Sequence, residues 1–297
     1  MKQREHLSRW KSPEAEQRFR ALEDALVADL VAEPPTAVDV ETRLGPTRAY
    51  RWEGTGDPVV FLHGTTGTSL SWAPYAERRR GRAMYAIDTI GDVGRSRQQV
   101  AVEGPDDLAD WLDQALAGLG LDRPHLAGTS YGGFLALNLA SRRPGRARSL
   151  FLIDPAGVVG VRMVRFMLWG TSALVASWLP APLRRVAARR LRMPALEHAP
   201  VLRFALNGQL NHRSRLLPPT PLSDDRLRAV DVPVHVTLGE KSEVFRSRDV
   251  RARVEALVPR ATVELVPGAG HAVSLSHLDH AADHLAEFLD GQAAATG

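Results

Sequence analysis

The chain has 297 residues, 44% of them hydrophobic and 24% charged, and a formal net charge of +4. That balance suffices for one large α/β core with an inserted segment and requires no second independent domain. The absence of cysteine excludes disulfides, thiolate nucleophiles and cysteine-based zinc or iron–sulfur sites. No apolar run reaches the roughly 18 residues of a membrane span, and Met1 to Lys11 is polar and charged where a signal peptide needs an apolar core. A soluble, cytoplasmic protein without stable membrane insertion is expected. The basic residues are almost all arginine and spread along the chain, so they read as composition bias and no nucleic-acid partner is expected.

Phe19, Leu22, Leu26 and Leu30 recur at helical spacing behind Ser12-Pro13-Glu14, so an N-terminal packing helix is expected at about residues 12–30. Val38 to Arg43 and Thr47 to Trp52, joined by Leu44-Gly45-Pro46, read as an antiparallel hairpin. Six parallel strands follow: Val59 to His63, Ala83 to Asp88, His125 to Gly128, Leu150 to Asp154, Val234 to Gly239 and Thr262 to Val266. Asp106 to Leu119, Phe134 to Ser141 and Asp249 to Leu257 are the crossover helices, and an amphipathic helix closes the chain. The strand–helix alternation stops between Asp154 and Val232. That interval is too long for a plain connection and too apolar for a linker. It predicts a helical cap over residues 157–227, set into a core formed by residues 1–156 and 228–297. The arginine-rich stretch Leu183 to Arg192 reads as a solvated face of that cap rather than a membrane-surface helix.

Gly128-Thr129-Ser130-Tyr131-Gly132 is a G-x-S-x-G between a predicted strand and a predicted helix. In that context the serine sits on a strained turn with its hydroxyl clear of the sheet, which makes Ser130 the candidate nucleophile. A serine hydroxyl needs a neighbouring base to take its proton during attack. His271, on the Gly268-Ala269-Gly270 loop after the last strand, fits that task. Backbone N–H groups of Tyr131 and Thr65 are the candidate oxyanion donors, Thr65 through the His63-Gly64-Thr65-Thr66-Gly67 loop. The acid is open between two residues. Asp154 ends the strand that follows the nucleophile, 24 residues after Ser130, whereas Glu243 lies in the later loop Gly239-Glu240-Lys241-Ser242-Glu243. Asp88 and Asp92 read as structural. His63, Trp169 and Trp178 are the candidate substrate contacts.

The order nucleophile, acid, histidine and these motifs resemble the α/β-hydrolase superfamily over nearly the whole chain. HGTTGTSLSW at residues 63–72, YAIDTIGDVGRS at 85–96, GTSYGG at 128–133 and FLIDPAG at 151–157 are similar to the bacterial carboxylesterase NP type. The resemblance implies a mostly parallel twisted sheet with helices on both faces, and a cofactor-free, metal-free serine esterase acting on a hydrophobic small-molecule ester. Members of that subgroup carry the acid after Gly-Glu-x, where this chain has Ser242, which favours a switch to Asp154. A hydrolase fold repurposed for small-molecule binding, cyclisation or elimination is the alternative. The oligomeric state is left open.

Overall fold

The computed structural model describes residues 6–76, 78 and 81–294, so the outermost residues of the expected core segments, 1–5 and 295–297, lie outside the described residues. The central sheet has eight strands: β1 (Thr36–Val40), β2 (Thr47–Trp52), β3 (Thr55–Leu62), β4 (Arg82–Ile87), β5 (His125–Thr129), β6 (Ser149–Ile153), β7 (Val234–Gly239) and β8 (Ala261–Val266). Their order is β8-β7-β6-β5-β3-β4-β2-β1, with β2 antiparallel to both neighbours and all other pairs parallel. This is the mostly parallel sheet expected of an α/β-hydrolase fold. β5 and β6 are buried along almost their whole length because helices cover both of their faces.

Helices α1 (Pro13–Leu30), α2 (Pro105–Gly118), α3 (Tyr131–Arg142), α4 (Met163–Ser177), α5 (Ala181–Leu191), α6 (Ala199–Asn211), α7 (Ser247–Leu257) and α8 (Leu278–Ala294) complete the main elements. The first helix starts as its sequence dictates, with the Ser12 hydroxyl accepting from the Ala15 N–H at 3.2 Å and Pro13 in the first turn. It buries Phe19 against Phe204 of α6, ring centroids 4.6 Å apart. The N-terminal segment therefore packs on the insertion.

The hairpin differs from its expected bounds. β1 stops at Val40, and the chain turns through residues 42–45, where the Thr42 hydroxyl donates to the Gly45 carbonyl at 2.7 Å. His63, Asp88 and Asp154 were expected as last strand residues and instead stand one residue beyond β3, β4 and β6. They share the carboxyl edge of the sheet with Ser130, where ligands bind in open α/β sheets. Between β6 and β7 the chain forms α4, α5 and α6. It then returns as an extended segment tied down by the Leu222 N–H to the Gly157 carbonyl at 2.8 Å.

Candidate active site

Ser130 joins β5 to α3 with φ +49°, a conformation a residue with a Cβ adopts only when its surroundings enforce it. Three backbone hydrogen bonds do so. Its N–H donates to the Ile153 carbonyl at 3.0 Å, and its carbonyl accepts from Phe134 at 3.1 Å and Ala156 at 2.9 Å. The flanking glycines are sterically required. A Cβ on Gly132 would sit 2.0 Å from the Leu62 carbonyl oxygen, and one on Gly128 would sit 2.5 Å from the Gly132 carbonyl. The Tyr131 N–H opens α3, where no intrahelical acceptor exists.

The loop after β3 lies beside this turn, since a Cβ on Gly64 would come 3.4 Å from the Ser130 Cβ. Thr66 in this loop has φ +61° and is held by Asp92, whose Oδ2 accepts its N–H at 2.8 Å. No acceptor among the described residues takes the neighbouring Thr65 N–H. His63 is corrected from a substrate contact to a support of this loop. It is 1% exposed, its Nε2 accepts from the Thr89 N–H at 2.9 Å, and its Nδ1 donates to the Gly64 carbonyl at 2.8 Å, which leaves neither nitrogen for a ligand. Asp88 is structural too, accepting from the Ser69 N–H at 2.9 Å and the Arg95 N–H at 2.8 Å.

His271 Nε2 is 3.0 Å from the Ser130 hydroxyl oxygen. On the far side of the ring, Nδ1 is 3.4 Å from the Ser242 hydroxyl and 3.8 Å from Asp154 Oδ2. Asp154 is fully buried with φ +43°, and the Gly239 N–H lies 3.3 Å from each carboxylate oxygen. Burial pushes the His271 imidazole down to about 4, which leaves it neutral at pH 7. Burial also pushes the Asp154 carboxyl well above the usual carboxylate range, and the nearby Glu243 charge adds to the rise.

Glu243 reaches the same histidine through the main chain. Its Oε2 accepts the His271 N–H at 3.0 Å, and its Oε1 accepts from Arg192 at 2.9 Å. Arg192 ends α5 in the left-handed conformation, φ +51°. The insertion is thus pinned to the histidine loop, a link the sequence does not announce because Arg192 and Glu243 are 51 residues apart. Ser242 beside the imidazole carried only one sequence signal, its place where the subgroup has an acid.

Trp169 is held within the insertion, its Nε1–H donating to the Leu191 carbonyl at 2.8 Å, and Trp178 is 79% exposed. No hydrogen bond or ring contact joins either to Ser130 or His271 among the described residues. The arrangement of hydroxyl, neutral imidazole and buried carboxylate, with the Tyr131 and Thr65 N–H groups left without an acceptor among the described residues, has the parts to move a proton off Ser130 and hold an oxyanion.

The alpha/beta hydrolase family profile matches residues 59–287. Carboxylesterase YbfK of Bacillus subtilis (strain 168) is 26% identical over 261 residues, covering 85% of this chain and 87% of that one. A second protein of the same organism, named as the uncharacterized carboxylesterase nap, is 25% identical over 262 residues, covering 85% and 86%. The crystal structure of naproxen esterase (carboxylesterase NP) from Bacillus subtilis superposes with a TM-score of 0.81 at 22% identity, covering 94% of this chain and 99% of that chain. That likeness concerns the fold.

Proposed function

The chain belongs to the alpha/beta hydrolase family, and on that premise we propose that it cleaves carboxylic esters of hydrophobic small molecules through an acyl-enzyme on Ser130. The observation that carries this reading is the 3.0 Å approach of the Ser130 hydroxyl to His271 Nε2. The two similar proteins named as carboxylesterases, matched along most of their length, support it.

In this reading the Ser130 hydroxyl donates to His271 Nε2 and gives up that proton as Oγ attacks the ester carbonyl. The Tyr131 and Thr65 N–H groups receive the oxyanion, each such donor contributing about 3 kcal/mol to transition-state stabilisation. The imidazolium returns its proton to the leaving alcohol. Water then repeats the sequence on the acyl-enzyme and frees Ser130. Asp154 is the acid that sets the imidazole tautomer, since it is the carboxylate nearest Nδ1, whereas both oxygens of Glu243 are engaged elsewhere. Burial keeps the resting imidazole neutral, so the imidazolium forms only during attack, when the Asp154 carboxylate 3.8 Å from Nδ1 faces it.

Residues 157–227 act as the cap that sets substrate choice, with Trp169 and Trp178 as its aromatic contacts. The rest of the chain, 1–156 and 228–297, is the catalytic core. A cytoplasmic location belongs to the same proposal, and cell fractionation tests it. No helix among the described residues is long and apolar enough to cross a membrane. A panel of p-nitrophenyl esters tests the activity: turnover by the wild type and none by Ser130→Ala supports the reading, and equal turnover by both overturns it.

A further inference from the structure

The insertion concentrates two properties that are dilute elsewhere. From Pro155 to Ser223 the chain has ten arginines and one acid, Glu197, so this stretch carries +9 of a net +4 and the remainder is acidic overall. The spread of arginine expected from the sequence therefore holds for the residue type but not for the balance of charge. Eight of the eleven large hydrophobic side chains exposed among the described residues also lie between Met163 and Val186. On α4, Val164, Met167, Leu168 and Val175 are 62–74% exposed, and they fall along one helical face. The inner face of α4 packs on α5 through the small residues Ala176 and Ala188, so the large apolar side chains point outward. Arg165, Arg185, Arg189 and Arg190 are exposed and form no ion pair among the described residues.

An apolar face bordered by unpaired arginines matches a surface with anionic headgroups above hydrocarbon. We propose that the outer face of α4 and α5 docks reversibly on anionic phospholipid bilayers. The test is cosedimentation with phosphatidylcholine vesicles, with and without about one-third phosphatidylglycerol, the anionic component expected to drive binding. Wild type and Ser130→Ala sediment equally with the anionic vesicles and are released by salt. The pairs Met167→Ser/Leu168→Ser and Arg189→Glu/Arg190→Glu each lose roughly tenfold in partitioning, while circular dichroism and an unchanged melting temperature show that they are folded. Wild type remaining in the supernatant, or variants partitioning as wild type, overturns the proposal. So does a dimer in sedimentation equilibrium that the apolar pair dissociates, because a second copy then covers the face. Because Ser130→Ala is read in the same assay, failure of the esterase reading leaves this result separate.

A second feature stands apart from the catalytic edge, where β7, β8 and α8 meet. His235 Nδ1 lies 3.0 Å from the Thr262 hydroxyl, whose own proton points to the Val234 carbonyl at 3.5 Å. The ring nitrogen facing Thr262 therefore carries the proton, and Nε2 presents a bare lone pair. That lone pair faces Glu264 Oε2 across 3.9 Å, and neither buried atom has a hydrogen-bond partner. His284 Nδ1 is 3.2 Å from the same oxygen, and His280 Nε2 donates to Glu264 Oε1 at 2.7 Å. His280 and His284 are one helical turn apart on α8. The three ligand atoms of His235, Glu264 and His284 lie within 4.8 Å of one another. Tetrahedral bonds of about 2.1 Å place ligand atoms roughly 3.4 Å apart, so a small contraction would complete the set.

We infer a zinc-class divalent cation site formed by His235 Nε2, Glu264 Oε2 and His284 Nδ1, with His280 orienting the carboxylate. Two imidazoles and one carboxylate suit Zn²⁺ and leave a position for water. The cation would join edge strand β8 to α8. Calorimetric titration of the chelator-treated protein with ZnCl₂ reads it: wild type takes up one equivalent, and His284→Gln and Glu264→Gln each weaken binding by roughly 100-fold or more. His284 is one-third exposed on a helix surface, so its variant folds even if Glu264→Gln does not. Absence of saturable binding by wild type, or wild-type affinity in His284→Gln, overturns the site.

Discussion

Glu243 holds the main chain of His271, not its imidazole, with Oε2 on the His271 N–H at 3.0 Å while Oε1 takes Arg192 from the end of α5. The carboxylate that a later-loop acid would offer to Nδ1 is thereby committed elsewhere. Asp154 stands 3.8 Å from that nitrogen instead. The two residues make opposite predictions. Asp154→Asn lowers kcat by up to ~10⁴ because the wrong imidazole tautomer becomes accessible. Glu243→Gln keeps an oxygen for the His271 N–H and lowers kcat less than about tenfold. Steady-state kinetics on one soluble ester gives the ranking, and the reverse order would move the acid to the later loop.

Arg192 and Glu243 act as a unit between the insertion and the histidine loop. Arg192→Met and Glu243→Gln each break the same ion pair, so the double variant loses no more than the worse single one. Coupling of at least ~0.5 kcal/mol in a double-mutant cycle on kcat/KM is expected. Strict additivity would show that the contact does no work in turnover.

The acid limb of kcat/KM follows from His271. Its folded-state pKa lies at about 4, below the ordinary 6.5, because the buried ring disfavours the imidazolium. The neutral base therefore persists as pH falls, and activity is retained through pH 6.5 and declines only near about 4. Stability moves with the same sign: the depressed histidine contributes stability above the unfolded value of 6.5, and that contribution is lost as pH falls through about 4. A pH–rate profile over a window in which circular dichroism shows the fold intact separates the two. An inflection at 6.5 would mean that the ring is hydrated.

Asp92 holds Thr66 at φ +61° beside Thr65. Replacing it by Asn turns one acceptor oxygen into an N–H₂ donor and frees the loop. The expected outcome is a ten- to hundredfold loss in kcat, roughly part of one oxyanion donor, with KM nearly unchanged. A change confined to KM would remove Asp92 from this role.

Ser130 and His271 were legible in the sequence because their signals are local. Gly128 and Gly132 mark a turn that nothing bulkier allows, and Gly268-Ala269-Gly270 marks the loop that carries the histidine. The positions of the strands along the chain were legible from apolar runs and glycine punctuation. The acid was open because its identity depends on how β6 packs beside β7, which brings the Gly239 N–H to Asp154. His63 misled for a related reason: its place in the motif suggests a ligand contact, but Thr89, 26 residues away, occupies Nε2. The outward face of α4 was hidden because apolar residues cover more than one side of that helix, and periodicity cannot say which side is buried.

Active-site labelling reads the activation of Ser130 without any assumption about the substrate. A fluorophosphonate reacts with a serine hydroxyl only where a base activates it and backbone donors accept the phosphoryl oxygen. Stoichiometric labelling is expected, placed on Ser130 by peptide mass spectrometry, abolished in Ser130→Ala and strongly slowed in His271→Ala. An unlabelled wild-type protein, or an adduct on another residue, would contradict the assignment of Ser130 as the nucleophile.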